Sequence, residues 1–353
     1  MRYEQWTNMA LNNEAISPDD ALCILEGTDI DLLRLVTAAG DVRMKHFGRR
    51  VQLHQINNIK NGFCPEDCGY CGQSKISCAP VKRYRTKSED DIVAEAHQAK
   101  KNGVFRYCMA ASGRGPSPKE AQQLAHVLRR IRDEVGIRTC LSAGLVSDEQ
   151  AEMFKEAGLD RLNHNLNTSE SHTAKIVTTH TYQDRVNTLK AAKKAGIDNC
   201  SGMICGMGES NEDIIEVAFN LRKMEVPSIP INFLLPIPGN RLQNFHQLSP
   251  SRCLRILCFF RFVNPKAEIR IAGGREYHLR GMQSLALYPA NSLFIEGYLV
   301  TKGETLESTY QFIHDAGFEV EGVDNKKPDL NEGHIHGDKN ILNPKTAFVG
   351  NET

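Results

Sequence analysis

The sequence predicts an α/β protein folded as a closed (β/α)8 barrel of the TIM type, and three observations carry that prediction. Eight short apolar runs, near 51–58, 105–111, 138–143, 161–166, 199–204, 229–234, 267–272 and 292–296, alternate with amphipathic stretches. Helix starts and stops are marked in phase with those runs. Within the runs, apolar and polar side chains alternate with a period of two, as strands require. Strands separated by single helices pair in parallel through right-handed crossovers. Eight such units suit a closed barrel better than an open doubly wound sheet.

The elements follow in chain order. Residues 1–45 read as an N-terminal helical extension, 46–322 as the barrel and 323–353 as a polar C-terminal tail without periodicity, expected to be mobile. Capping patterns stand at Ser88–Asp91, Ser117–Glu120, Ser147–Gln150, Thr181–Asp184 and Ser210–Asp213, where a hydroxyl accepts from an orphan helix amide and the later side chain bonds back. Pro118 and Pro250 fall at first helical positions, where a missing N–H costs nothing. Gly103, Gly136, Gly158, Gly196 and Gly317 fall where helices should stop. His334 and His336 in the tail are spaced like a metal pair but read as solvated tail histidines.

The alternation also assigns faces. Tyr107, Met109, Leu141, Leu162, Leu166, Ile231, Phe233, Ile269 and Ile271 form one set and pack outward on helices. The opposite set is Cys108, Ala110, Cys140, Ser142, Asn163, Asn165, Asn167, Asn232, Glu268 and Arg270. A lumen filled only for stability would be Val, Ile and Leu. A polar lumen implies a ligand or cofactor.

Composition narrows the function classes. The 353 residues carry 43 Lys+Arg against 43 Asp+Glu, and this balance argues against binding driven by nucleic-acid phosphates. Apolar stretches such as Ile256 to Phe260 fall far short of the roughly 18 residues of a membrane span. No apolar segment follows Met1, so a cytoplasmic location is expected. Eleven cysteines, an odd count, make a poor disulfide framework and a better set of metal ligands plus inert core thiols.

The strongest local signal is Cys64-Pro-Glu-Asp-Cys68-Gly-Tyr-Cys71, in the loop after the first strand. Three thiolates so close can hold three irons of a 4Fe-4S cluster and leave the fourth iron without a protein ligand. A metal with an open position binds substrate there. A structural zinc site would want a fourth Cys or His at short range; Cys78 is the one candidate, and no paired C-x-x-C follows. Gly206-x-Gly208 alone suggests a dinucleotide turn, but Asn211 occupies the third glycine position and the reading fails.

This loop, with the aromatic Tyr70 before its third cysteine, resembles the signature of the radical S-adenosylmethionine (SAM) enzymes. The resemblance implies that the amine and carboxylate of SAM chelate the open iron and that cluster reduction releases a 5′-deoxyadenosyl radical. Gly202–Glu209, with Gly206, resembles the segment lying against the adenine. Within the superfamily, about residues 20 to 322 resemble the biotin synthases. The carrying segments are 64–74, 107–117, 163–169 (Asn-His-Asn-Leu-Asn-Thr-Ser), 178–182 (Thr-Thr-His-Thr-Tyr), 200–202, 229–234 and 270–276 (Arg-Ile-Ala-Gly-Gly-Arg-Glu).

That resemblance implies a second, 2Fe-2S cluster inside the barrel, held by Cys108, Cys140, Cys200 and Arg270, with Arg270 tuning or labilising it. It implies conversion of dethiobiotin to biotin by sulfur insertion, the inner cluster being the sulfur donor. It further implies Asn165 and Asn232 as contacts to SAM and the ureido ring, whose donors and acceptors an amide matches. Asn167 falls where relatives carry a ribose-binding aspartate. Arg185 resembles the partner of the SAM carboxylate. A reduced flavodoxin or ferredoxin-type donor and a homodimer are likewise implied. Cys23, Cys205, Cys253 and Cys258 read as structural, Lys82–Arg85 as solvated loop, and Cys78 has no assigned role. Rival readings are another radical SAM barrel, of the hydrogenase-maturation or methylornithine-synthase type, and a non-catalytic iron–sulfur protein.

Overall fold

A computed structural model describes residues 2–245 and 248–322; the stretch 323–353, with His334 and His336, lies outside the described residues. Helices α1 (Arg2–Leu11), α2 (Pro18–Glu26) and α3 (Leu32–Phe47) precede the barrel. Trp6 of α1 is fully buried, with its ring centroid 6.3 Å from that of Phe262 on a barrel helix.

The barrel strands are β1 (Arg50–Lys60), β2 (Arg106–Ala111), β3 (Arg138–Ser142), β4 (Arg161–Asn163), β5 (Asp198–Cys200), β6 (Met203–Cys205), β7 (Ser228–Phe233), β8 (Glu268–Ile271) and β9 (Ser292–Ile295). All pair in parallel, and β9 pairs back onto β1, closing the ring. β5 and β6 together form one stave, so eight staves result, as the sequence predicts. A two-residue strand, β10 (Glu319–Val320), pairs with the start of β1.

Around the ring run α4 (Glu89–Lys101), α5 (Pro118–Arg130), α6 (Asp148–Glu156), α7 (Glu170–Ile176), α8 (Tyr182–Lys194), α9 (Asn211–Lys223), α10 (Pro250–Val263), α11 (Arg275–Leu279) and α12 (Leu306–Asp315). The helix spacing is less regular than expected. A π-helical turn extends α5, two helices follow β4, and a 3-10 helix (Arg280–Leu287) follows α11.

Two strand expectations need correction. The run 161–166 forms a regular strand only over Arg161–Asn163; His164 N–H still donates to Cys200 O (3.0 Å), and Asn167, in a left-handed turn (φ 68°), makes an isolated bridge to Met203. The run 199–204 breaks at Ser201–Gly202. A Cβ on Gly202 would lie 1.8 Å from the Pro230 carbonyl oxygen, an approach that only glycine permits. The break spans two residues, so parity survives: Cys200 faces the lumen, while Cys205 joins the outer core with Met203. Tyr107, Met109, Leu141, Ile231 and Ile271 also lie in that outer core.

Four of the five capping patterns close reciprocally, at Ser117, Ser147, Thr181 and Ser210. At Ser88 the hydroxyl accepts from Asp91 N–H but donates to the Asp91 carboxylate, so no bond returns to the cap backbone. The five glycine stops all take positive φ, from 66° to 93°. No helix among the described residues is long and apolar enough to cross a membrane.

The α5 cap generates a pH test. Glu120 accepts from Lys60 (2.8 Å) and from Ser117 N–H (2.9 Å), and these donors hold its carboxyl down at about 2. A carboxyl depressed on folding stabilises above its unfolded pKa, about 4.5, and that stabilisation is lost as pH falls towards about 2. Urea midpoints of wild type and Glu120→Gln, measured at about pH 5 and about pH 3, should therefore converge at the lower pH.

Candidate active site in the barrel

The three-cysteine loop leaves the C-terminal end of β1, the side where barrel chemistry sits. Its backbone is pinned from two directions. Gly69 N–H donates to Ile176 O (3.0 Å), and Asn240 Nδ2 donates to Tyr70 O (3.1 Å). Cys68 is buried, and Cys64 and Cys71 are half-buried. Burial raises all three thiol pKa values, that of Cys71 to about 12.

Two acids within the loop do not face solvent. Asp67 accepts from Thr178 N–H (2.9 Å), Thr179 N–H (3.2 Å) and the Thr178 hydroxyl. Glu66 accepts from the Thr179 hydroxyl (2.6 Å), from Arg114 (3.2 Å) and from the His180 ring. Against the cost of burial, these donors hold both carboxyls below their ordinary range.

Tyr70 turns inward from the same loop. Its hydroxyl accepts from Asn167 Nδ2 at 2.6 Å and from Arg185 Nη2 at 3.4 Å. Arg185 also donates to Asn165 O (2.8 Å) and to His180 Nε2 (2.5 Å). Asn165 Oδ1 accepts from Gly202 N–H (3.0 Å), while its Nδ2 has no partner among the described residues. Asn232 bridges Met203 O (3.2 Å) and Gly273 N–H (3.0 Å). Gly206 sits apart from the cavity wall. Its N–H donates to Glu209 Oε1 (2.7 Å), beside Leu234 and Leu248.

Below Tyr70 a cavity of about 230 Å³ runs into the lumen. Tyr70, Asn165, Asn232, Cys108, Cys140 and Arg270 all line it. Another cavity lies outside the sheet between α4 and α5, but its Lys60 and Lys87 are already paired and no expected site residue lines it.

At the lower level Cys108 and Cys140 are register neighbours, and Cys200 sits opposite Asn163. Cys140 packs with both other thiols in one buried cluster. Arg270 Nη1 approaches Cys200 Sγ at 3.6 Å, and its Nη2 donates to Ser228 Oγ (2.9 Å) and to Glu268. Glu268 also accepts from Arg161 and from Ser292 Oγ (2.8 Å). His54 Nε2 stands 3.0 Å from Glu268. Burial, with Arg270 nearby, lowers the His54 pKa to about 3 and keeps the ring neutral.

Both sets of residues fit iron–sulfur groups. The lumen buries Arg106 and Arg270 and largely encloses Arg161 around the thiols; Glu268 is the one fully enclosed carboxylate among them, and exposed Asp160 stands 3.7 Å from Arg106. Thiolates would balance that excess positive charge. The Nε atoms of all three arginines are buried without partners in the protein. Among the described residues, no three His, Cys, Asp or Glu side chains close on a single-ion site. In a 4Fe-4S cluster each thiolate takes its own iron, and in a 2Fe-2S cluster each iron takes only two protein ligands, so neither ligand set need converge on one ion.

The structure thus brings Tyr70, Asn165, Asn167 and Arg185 together above Cys108, Cys140, Cys200 and Arg270. Sequence reasoning missed the carboxylate clamps, Glu66 and Asp67 on 178–180, and the lumen partners His54, Arg161, Ser228 and Ser292. Two acids between cluster thiolates were a usable signal, since buried like charges need donors. Glu268→Gln should destabilise the protein by about 3–5 kcal/mol in denaturant unfolding, because its cations lose their counter-charge. Ser292→Ala, which removes one neutral bond, should cost about 1 kcal/mol.

Comparison with known proteins agrees with this architecture. Residues 58–221 match the radical SAM superfamily, and residues 230–319 match the Biotin and Thiamin Synthesis associated domain. Methylornithine synthase superposes with a TM-score of 0.78 at 20% identity, over 89% of this chain and 97% of that one. The FeFe-hydrogenase maturase HydG from Carboxydothermus hydrogenoformans gives 0.76 at 18%, over 90% and 79%. Those likenesses show the fold alone. Sequence relatives go further. The biotin synthase of Acaryochloris marina is 62% identical over 96% of this chain and 99% of its own length. That of Leptospira biflexa is 48% identical over 92% and 93%. With that identity along nearly its whole length, the chain belongs to the biotin synthase family of the radical SAM enzymes.

Proposed function

We propose that this chain converts dethiobiotin to biotin by sulfur insertion, with SAM as co-substrate. The observation that carries the reading is vertical. Three buried thiols from β2, β3 and β5 meet Arg270 under one cavity, and the Tyr70 end of the three-cysteine loop forms its upper wall. In this reading Cys64, Cys68 and Cys71 hold a 4Fe-4S group, and Cys108, Cys140, Cys200 and Arg270 hold a 2Fe-2S group. When bound, the two groups supply the electron that cleaves SAM and the sulfur that is inserted.

The chain's own residues then bind, orient and exclude. Arg185 offers a guanidinium to the SAM carboxylate, beside the amide of Asn165. Asn165 and Asn232 present amides to a cyclic urea, which both donates and accepts. Asn167 acts on Tyr70, which it fixes by a 2.6 Å bond, and the Gly206 turn backs the apolar neighbours of Tyr70. Phe294 and Tyr298 line the cavity and keep water from a reactive carbon centre. Arg270, held by Glu268 and Ser228, keeps its Nη1 edge towards the Cys200 sulfur. An external one-electron donor of the flavodoxin or ferredoxin type and a homodimeric state accompany this reading. The rival radical SAM activities rest on fold likeness at 20% identity or below.

The test is anaerobic incubation of reconstituted protein with SAM, a reductant and dethiobiotin, reading 5′-deoxyadenosine and biotin together. Wild type should form both. Cys68→Ala should form neither. Cys140→Ala should still cleave SAM while losing biotin and the iron of the inner group. Deoxyadenosine without biotin from fully loaded wild type would defeat the assignment.

A further inference from the structure

The geometry points to His180 as a positioning residue that ties the iron-binding loop to the guanidinium receiving SAM, an inference that rests on the reading of Arg185 given above. Its ring lies between two groups of different origin. On one side Nδ1 meets the Glu66 carboxylate, which belongs to the loop between Cys64 and Cys68. On the other, Nε2 lies 2.5 Å from Arg185 Nη2, on α8. A carboxylate only accepts and a guanidinium only donates, so the ring must donate from Nδ1 and accept at Nε2. That is one neutral tautomer, and burial with Arg185 alongside depresses the imidazole pKa accordingly.

The linkage has a geometric purpose. A ligand that chelates an iron with its carboxylate and pairs that carboxylate with a guanidinium needs the two receptors at a fixed separation. Glu66 moves with the iron loop, and Arg185 moves with α8. His180 joins them through one rigid ring. Arg185 has two other tethers, Asn165 O at 2.8 Å and the Tyr70 hydroxyl at 3.4 Å, so losing His180 loosens the fork without freeing it.

The loop itself does not depend on His180. Asp67 keeps its bonds from Thr178 and Thr179, and Glu66 keeps those from Thr179 and Arg114. A role in SAM placement is therefore separable from a role in holding iron. Glutamine is the discriminating replacement, because its amide can donate to Glu66 and accept from Arg185. Alanine can do neither.

The experiment uses anaerobically reconstituted wild type, His180→Ala and His180→Gln. It reads iron per chain, equilibrium SAM binding, and the EPR spectrum of the reduced cluster with and without SAM. His180→Ala should keep its iron and bind SAM about tenfold more weakly, with a raised KM for SAM and little change in kcat. His180→Gln should recover most of that affinity and the SAM-dependent change in the spectrum. Unchanged SAM affinity in His180→Ala overturns the inference, as does equal weakening in both variants. Loss of iron from His180→Ala also overturns it, by assigning the ring to the loop. A wild type that carries iron but binds no SAM fails the parent reading instead.

Discussion

A single carboxylate organises the centre of the molecule. Glu268 is buried at the start of β8, and two arginines, a serine and a neutral histidine converge on it from β1, β4, β8 and β9. Burying such charges is expensive, and the expense is tolerated only when each group finds partners. Once Glu268 is fixed, Arg270 two residues on has one edge committed and the other free to face sulfur. The apolar sequence positions build the wall of the barrel. This ionic cluster sets what the wall encloses.

Above that level, the order of the site comes from clamping by neighbouring loops. The three-cysteine loop has no regular secondary structure of its own, yet it is bonded to 176–180 and 239–242 through backbone and side chain alike. Loops on a rigid scaffold carry function because the scaffold sets where they begin and their contacts set where they point. Asp67 and Glu66 show the second half of that statement, since each takes hydrogen bonds from residues of 178–180, more than a hundred positions away.

Local rules made much of this legible. Period-two alternation placed Cys108, Cys140 and Arg270 inward, and across the break at Gly202 two residues preserve the parity that sets Cys205 on the opposite face from Cys200. Capping chemistry located helix starts, and at Ser88 the hydroxyl capped the helix although its acid did not bond back. What sequence could not supply was contact at long range. The spacing from Glu66 to His180 means nothing until the barrel closes, although 178–182 had stood out as a family segment without a role. Asn167 makes a contact that its place in the sequence did not foretell. The strand ends before it, and the backbone there turns left-handed and delivers the amide to Tyr70. Close backbone approach, as at Gly202 and Pro230, is likewise invisible without coordinates.

The stacking of two levels in one lumen sets an order of events. Cys200 is wholly enclosed, and the floor beneath it is packed with Glu268, His54 and their partners. The cavity lined by Tyr70 and Asn165 reaches down to Cys108 and Cys140, so on the proposed reading it is also the way iron and sulfide reach those thiols. An occupant of the upper chamber corks the lower one. On the proposed reading, the inner group is assembled before the chamber is filled.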